Sequence, residues 1–141
     1  MTAELAAQLQ LEPHPEGGWY RRTWTAPARV DTPNGERATA SAILFLLDRD
    51  MEAAWHVVRS DELWLWHGPG TLEVHLGGSG EHPVDDPDPV VLGGPGTPEV
   101  QLLVPAGTWQ RTFARSAHAL ASCVVSPEFS FDDWRLATNA G

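Results

Sequence analysis

Apolar and polar positions alternate in short blocks along this chain, and Gly, Pro, Asn and Asp interrupt the blocks repeatedly. Residues 71–77, TLEVHLG, show the pattern most clearly. Leu72, Val74 and Leu76 fall on one side and Glu73 and His75 on the other, the period-two signature of a half-buried strand. The same reading predicts strands over 19–26, 53–59, 62–68, 89–94, 98–107, 108–114 and 119–126. Residues 38–48, ATASAILFLLD, are apolar almost without interruption, as expected of a strand covered on both faces. Asn34-Gly35 marks a hairpin turn within 28–37, since the tight primed turns need positive φ at their centre. Only residues 3–11 read as helix: Leu5 and Leu9 lie one turn apart, Thr2 caps the start and Pro13 stops the end. Ser130 ahead of Phe131-Asp132-Asp133 predicts a short capped turn, and 77–89 reads as a turn-rich loop. About nine or ten short strands without an internal repeat make the expected fold all-β, an antiparallel sandwich or barrel with a short N-terminal helix.

Composition narrows the function classes. The 141 residues are one domain's worth, and the expectation is a single domain over 1–141. A net charge of −10 repels phosphate backbones and anionic lipid, so neither nucleic acid nor membrane is an expected partner. No apolar run is long enough for a membrane helix, and MTAELAAQLQ lacks the basic start and apolar core of a secretory signal, which points to a cytoplasmic protein. A lone Cys123 excludes an intrachain disulfide framework and a multi-cysteine zinc site. Asp85, Asp86 and Asp88 cluster without the calcium-loop spacing and read as solvated loop. Seven Trp is a high count, compatible with core, ligand cavity or subunit interface.

Two stretches carry candidate chemistry. In Trp55-His56-Val57-Val58-Arg59-Ser60-Asp61-Glu62, His56 and Glu62 flank a predicted turn and would face each other across a hairpin. An imidazole beside a carboxylate is a proton-transfer pair and half of a metal site; equally, the pair could simply staple the hairpin. If Glu62 points inward, Trp64 and Trp66 share its face and line the same hollow. In Val104-Pro105-Ala106-Gly107-Thr108-Trp109-Gln110, Pro105 and Gly107 set a sharp turn that leads into Trp109 and Gln110. One of Arg21 and Arg22 should point inward, where it would anchor a carboxylate or phosphate.

Together these stretches resemble the two motifs of the cupin superfamily. His56, Glu62 and Gly68 stand where the first motif has its leading His, its Glu and its closing Gly, and Pro105 and Gly107 match the second. A closer resemblance runs through nearly the whole chain. Leu11-Glu-Pro-His-Pro-Glu-Gly-Gly-Trp-Tyr20-Arg21, the 43–47 strand, His56 with Ser60-Asp-Glu-Leu-Trp64, Val104-Pro-Ala-Gly-Thr-Trp-Gln110 and the 123–134 segment look like successive motifs of the small cupin-5 family. That resemblance implies a double-stranded β-helix, the jelly-roll cupin barrel, usually dimeric, with a cavity in the barrel mouth; an exchanged edge strand would give the homodimer. It also makes His14, Tyr20, Arg21, Trp64, Trp66, Trp109 and Gln110 candidates for contacting substrate.

The departures matter as much. Val58 stands at the second motif-one His and Gln110 at the motif-two His, so the implied metal set shrinks to His56, Glu62 and Gln110. This suits at most a weakly held divalent metal such as Ni, Fe, Mn or Zn. Val57 replaces a common Arg and Glu128 a common Gly, so relatives are no guide to the substrate. The expected function is binding of a small organic molecule in the barrel, with His56 and Glu62 acting as acid and base in an isomerase, epimerase, lyase or cyclase. The alternatives are a non-catalytic sensor or carrier with a degenerate metal site, and an interaction domain whose barrel is filled by its own side chains.

Overall fold

The structure, a computed structural model, describes residues 2–85, 88–96 and 99–137. Asp86 of the acidic cluster and Pro98 at the start of a predicted strand lie outside the described residues. Helix α1 covers Thr2–Gln8, and Gln10, at φ 59°, takes the chain off the helical path before Pro13 is reached. Strands follow in the order β1 (Glu12–Pro13), β2 (Trp19–Thr25), β3 (Arg29–Thr32), β4 (Gly35–Ala38), β5 (Ser41–Leu47), β6 (Glu52–Val58), β7 (Asp61–Leu76), β8 (Val90–Leu92), β9 (Gln101–Val104), β10 (Gln110–Ser126) and β11 (Trp134–Leu136). A 3-10 turn, Phe131–Asp133, precedes β11, and the Ser130 hydroxyl accepts from the Asp132 backbone N–H at 3.2 Å, as the sequence predicts. The expected hairpin forms one residue earlier than the sequence suggests: Thr32 pairs with Gly35, so the loop is Pro33-Asn34, and Gly35, at φ 114°, opens β4.

Two pairs of predicted strands are each one long bent strand. Residues 62–68 and 71–77 join in β7, and 108–114 and 119–126 join in β10. The Gly68-Pro69-Gly70 break reads as a turn from sequence. In the fold it is a bend, because β10 bends opposite it: pairing runs from Gln110↔Leu76 to Ser126↔Asp61, with a register shift between Arg115 and Ala119 beside Ser116 at φ 65°. This antiparallel pair wraps the barrel. β5 flanks the C-terminal half of β10 and β6 its N-terminal half, β2 lies outside β5 with β1 beyond it, β11 lies outside β6, and β8 and β9 pair with the other edge of β7. The result is the expected jelly-roll barrel with one short N-terminal helix. Among the described residues no helix is long and apolar enough to cross a membrane.

The short turn at Arg59-Ser60 does not close a hairpin, which corrects the sequence expectation. His56 pairs with Gln110 and Leu136, and Glu62 with Val125 and Val104; β6 and β7 are not hydrogen-bonded neighbours. The turn is a corner between the two sheet surfaces of the barrel, so the two side chains meet through its interior.

Along each inward face residues that line the cavity are followed, in steps of two, by residues of the core. On β5 Ser41 and Ile43 give way to Phe45 and Leu47; on β7 Glu62 gives way to Trp64; on β10 Val125 and Cys123 give way to Ala121 and Ala119. Phe45 and Trp64 meet edge to face, 5.7 Å between centroids, in a core with Leu72, Val74, Leu92 and Val104. One end of the barrel is therefore solid and the other hollow. Phe45→Ala should cost about 3–5 kcal/mol of unfolding free energy, read from the midpoint of a urea titration.

Candidate active site

The hollow end holds a cavity of ≈ 200 Å³ whose lining comes from every side of the barrel. His56 and Val58 arrive from β6, Glu62 from β7, Cys123 and Val125 from β10, Ser41 and Ile43 from β5, and Tyr20 and Arg22 from β2. Phe129, Ser130 and Phe131 form part of the mouth, and the 12–16 segment contributes Glu12, His14 and Glu16.

That segment owes its position to the two glycines after it. Gly17 has φ 112°, and a Cβ there would lie 2.2 Å from the Glu52 carbonyl oxygen; Gly18 has φ 79°, and its Cβ would lie 2.7 Å from the Leu46 carbonyl oxygen. Only glycine lets the loop press this closely on β5 and β6. The Ala54 N–H donates to the Glu16 carbonyl at 2.8 Å, and the Glu16 N–H donates to His14 Nδ1 at 3.1 Å. The Glu16 carboxyl then enters the barrel. Its Oε2 lies 3.2 Å from His56 Nε2 and accepts from the Trp134 indole N–H at 3.2 Å.

His56 is 2% exposed, and its Nδ1–H donates to the Ala54 carbonyl at 2.7 Å. The proton of the neutral ring is thereby fixed on Nδ1, and Nε2 offers a lone pair toward Glu16. Glu62 accepts from the Gln110 amide at 2.7 Å and from the Cys123 thiol, while the Gln110 oxygen accepts from the Trp64 indole N–H at 3.0 Å. His14 sits among Tyr20, Phe45, Phe131 and Trp134 rings, 4.6 to 6.2 Å between centroids.

Burial decides the charge states. It pushes the Glu16 carboxyl up to about 8, against a partial opposing effect of the Trp134 hydrogen bond. It pushes His14 down to about 4, helped by the neighbouring His56 ring. Burial also lowers His56 and raises Glu62, each opposed by the attraction between the two. Near neutral pH the cavity floor holds neutral imidazole bases beside a protonated carboxylic acid, all poised for proton transfer.

The sequence reading is corrected at several residues. His14, Tyr20, His56 and Glu62 do line the cavity. Arg21 does not: its Nε–H donates to the Leu9 carbonyl at 3.0 Å, and Arg22 is the arginine at the mouth. Trp64 shares the face of Glu62 but lies one step deeper, in the core. Trp66 packs over Gly93 and donates to the Gly70 carbonyl at 2.8 Å. Trp109 is buried elsewhere, donating to the Gly80 carbonyl at 2.9 Å with Arg135 stacked on it. Gln110 positions Glu62 and does not line the cavity. Glu16, 3.2 Å from His56 Nε2, has no role in the sequence reading beyond its place in the PHPEGG block, because a loop residue carries no period-two signal; its sequence trace is the Gly17-Gly18 pair beside it.

The metal set His56, Glu62 and Gln110 does not fit a divalent ion. The Gln110 oxygen is turned to Trp64 and its amide nitrogen faces Glu62, and Val58 supplies no donor. Among the described residues no group of three or more His, Cys, Asp or Glu side chains converges as metal ligands would.

A jelly roll with a polar cavity at one end is the architecture of a cupin. The chain belongs to the family described as Cupin superfamily (DUF985), whose model matches residues 3–137. It is similar to the structure of a hypothetical protein from Leishmania major, at 28% identity and TM-score 0.82, covering 99% of this chain and 89% of that one. A Shewanella oneidensis protein is similar at 29% identity and TM-score 0.82, covering 96% and 83%. KdgF from Halomonas sp. shares the fold at 16% identity and TM-score 0.58, covering 86% and 89%. No curated protein matches the chain.

The charge states give a pH signature. Glu16, raised in the fold, holds a proton between about pH 4.5 and 8 that the unfolded chain loses, so its contribution to stability falls as pH rises through that range. His14, lowered in the fold, does the reverse between about 4 and 6.5. Glu62, also raised, acts in the same direction as Glu16, and His56, also lowered, in the same direction as His14; above about pH 6.5, where an unfolded imidazole has already lost its proton, the carboxyls dominate. Stability should fall by on the order of 1–2 kcal/mol from pH 6.5 to 8, and Glu16→Gln should flatten that limb in urea titrations at a series of pH values.

Proposed function

We propose that this cupin binds a small organic molecule in the cavity and transfers protons on it, as an isomerase, epimerase, lyase or cyclase does. The observation that carries the reading is His56: buried, anchored through Nδ1, with Nε2 directed into a cavity shared with Glu16 and Glu62. When substrate displaces the Glu16 carboxyl from Nε2, the neutral imidazole takes a proton from a carbon next to a carbonyl. Glu62, whose protonated form burial favours, hydrogen-bonds the carbonyl oxygen as it gains charge. Return of the proton to the other face or to a neighbouring carbon gives epimerisation or isomerisation, and loss of a β-substituent gives elimination. Every group named comes from one chain, so the chemistry stands whether or not the protein forms the expected homodimer.

A second reading, binding without turnover, is favoured by one observation: Glu62 already has two donors, Gln110 and Cys123, as a merely structural carboxyl would.

Exchange of solvent deuterium into a panel of small hydroxy ketones, followed by proton NMR, separates the two readings. Wild-type protein should exchange the carbon-bound hydrogen of at least one member. His56→Gln and Glu62→Gln should each slow it by about 10²–10⁴-fold with the fold intact. Exchange at the wild-type rate in His56→Gln removes that residue from the mechanism, and no exchange at all favours binding alone. Dialysis against a chelator should leave the rate and Tm unchanged; a loss restored by added Mn, Ni or Zn would contradict the reading of the donor set.

A further inference from the structure

Every fixed positive charge in this chain is an arginine, because the sequence contains no lysine. Among the described residues only Arg22 brings one to the cavity. Its guanidinium is already engaged. Nη1 donates to Glu128 Oε1 at 2.9 Å and to Thr25 Oγ1 at 3.3 Å, and Nη2 donates to the Phe129 carbonyl. Glu128 is itself held: Arg29 Nη1 donates to Oε2 at 3.3 Å, the Ala38 backbone N–H donates to the same oxygen, and the side chain is 15% exposed. Arg29 also donates to Glu36 at 3.0 Å. Two guanidinium groups and two carboxylates therefore balance at this side of the mouth.

Nothing deeper restores a positive charge. The remaining ionisable groups of the lining are the carboxyls of Glu12, Glu16 and Glu62, the imidazoles of His14 and His56, the Cys123 thiol and the Tyr20 phenol. Both imidazoles are held neutral by burial near pH 7. A carboxylate or phosphate in this cavity would lose its water and find no unmatched cation, the costliest kind of burial. A hydroxylated neutral molecule fits better. The serine and tyrosine hydroxyls, carboxyls and imidazoles lining the cavity both donate and accept hydrogen bonds, and Tyr20, Phe129 and Phe131 supply flat apolar surface. At ≈ 200 Å³ the space lies below the ~300 Å³ at which pockets for drug-sized ligands begin.

We propose that Glu128 sets the charge selectivity of the cavity: by engaging Arg22 it makes the site take uncharged, hydroxylated molecules of monosaccharide size and refuse their carboxylated or phosphorylated counterparts. The proposal rests on the reading that this cavity is the binding site. Glu128 acts through Arg22 and is a specificity-determining residue with no part in proton transfer.

Calorimetric titration of the full chain with matched pairs tests it: a methyl hexoside against the methyl hexuronide, a pentose against its pentonate, a pentose against its 5-phosphate. Wild-type protein should bind the neutral member of a pair at least about tenfold more tightly. Glu128→Gln keeps an oxygen for the Ala38 N–H and removes the charge beside Arg22. It should raise affinity for the anionic member by about tenfold or more and change the neutral member by less than about twofold. Tighter binding of anions by wild-type protein, an unchanged ranking in Glu128→Gln, or no binding of any neutral member would overturn the proposal. Val58→Phe, which fills the cavity, separates this failure from failure of the underlying reading. Binding that persists undiminished in that variant places the ligand elsewhere and overturns both; binding lost in it, with the wrong charge preference in wild-type protein, overturns the selectivity alone.

Discussion

The contact between the Glu16 carboxyl and His56 Nε2, 3.2 Å apart inside the barrel, is the constraint that organises the rest of the site. A carboxyl and an imidazole taken out of water must each be neutral or matched. The fold meets this by fixing both hydrogen-bonding ends of the imidazole: Ala54 takes the Nδ1 proton and Glu16 faces Nε2. Trp134 holds the carboxyl from β11, and the Ala54 N–H holds the loop that carries it. The residue that orients His56 through its carbonyl thus also docks the 14–18 loop through its N–H, so position and protonation are set by the same short stretch of β6. The two glycines are part of this arrangement, since a side chain at Gly17 would push the loop off the Glu52 carbonyl and withdraw Glu16.

The hollow follows from how the inward faces are filled. A closed barrel needs large side chains to fill its interior, and Phe45, Trp64, Leu72 and Leu92 do so at one end. At the other end the same strand faces carry Ser41, Glu62 and Cys123, which are too small or too polar to close the space. Trp64 belongs to both regions: its ring is packed in the core, and its indole N–H orients Gln110, which in turn orients Glu62. Core packing is thereby coupled to the geometry of the site through two hydrogen bonds. A carboxyl so held has little freedom to rotate, which suits either proton transfer at a defined point or a fixed contact to ligand.

Alternation along the strands narrows the fold to an antiparallel sandwich or barrel, and the motif blocks from PHPEGG to the 123–134 segment point to the jelly roll and to the family that the match over 3–137 shows. The resemblance makes His14 and Tyr20 candidates for the cavity, which they line; His56 and Glu62 line it too, though not through the hairpin expected of them. The errors share a cause: period two says which face a residue occupies and nothing about its depth along the barrel. Trp64 shares the inward face of Glu62 and is core rather than cavity wall. Arg21 and Arg22 alternate as expected, but which one faces the mouth depends on the register of β2 against β5, Arg21↔Leu44 and Arg22↔Ile43, fixed only by the whole sheet. The supposed hairpin at Ser60 failed because a turn of that length serves equally as a corner between sheets. The PHPEGG block contains Glu16 but not its role, which comes from a loop laid across two strands, and loop residues carry no periodic signal.

Charge is distributed by depth, and this links the mouth to the floor. Around Arg22 and Glu128 the groups are ionised, partly solvated and paired, so their charges cancel locally. On the floor the pairing is between neutral forms: burial holds a proton on Glu16 and keeps the imidazoles uncharged. A free cation at the mouth would draw anions inward and would also favour deprotonation of the carboxyls below, since an opposite charge nearby stabilises the ionised form. Neutralising Arg22 therefore does two things through one ion pair. It removes the anchor an anionic ligand would need, and it leaves burial as the dominant influence on Glu16 and Glu62. The acid–base character of the floor and the charge preference of the mouth are two consequences of a single feature: among the described residues the one arginine that lines the cavity, Arg22, is already matched.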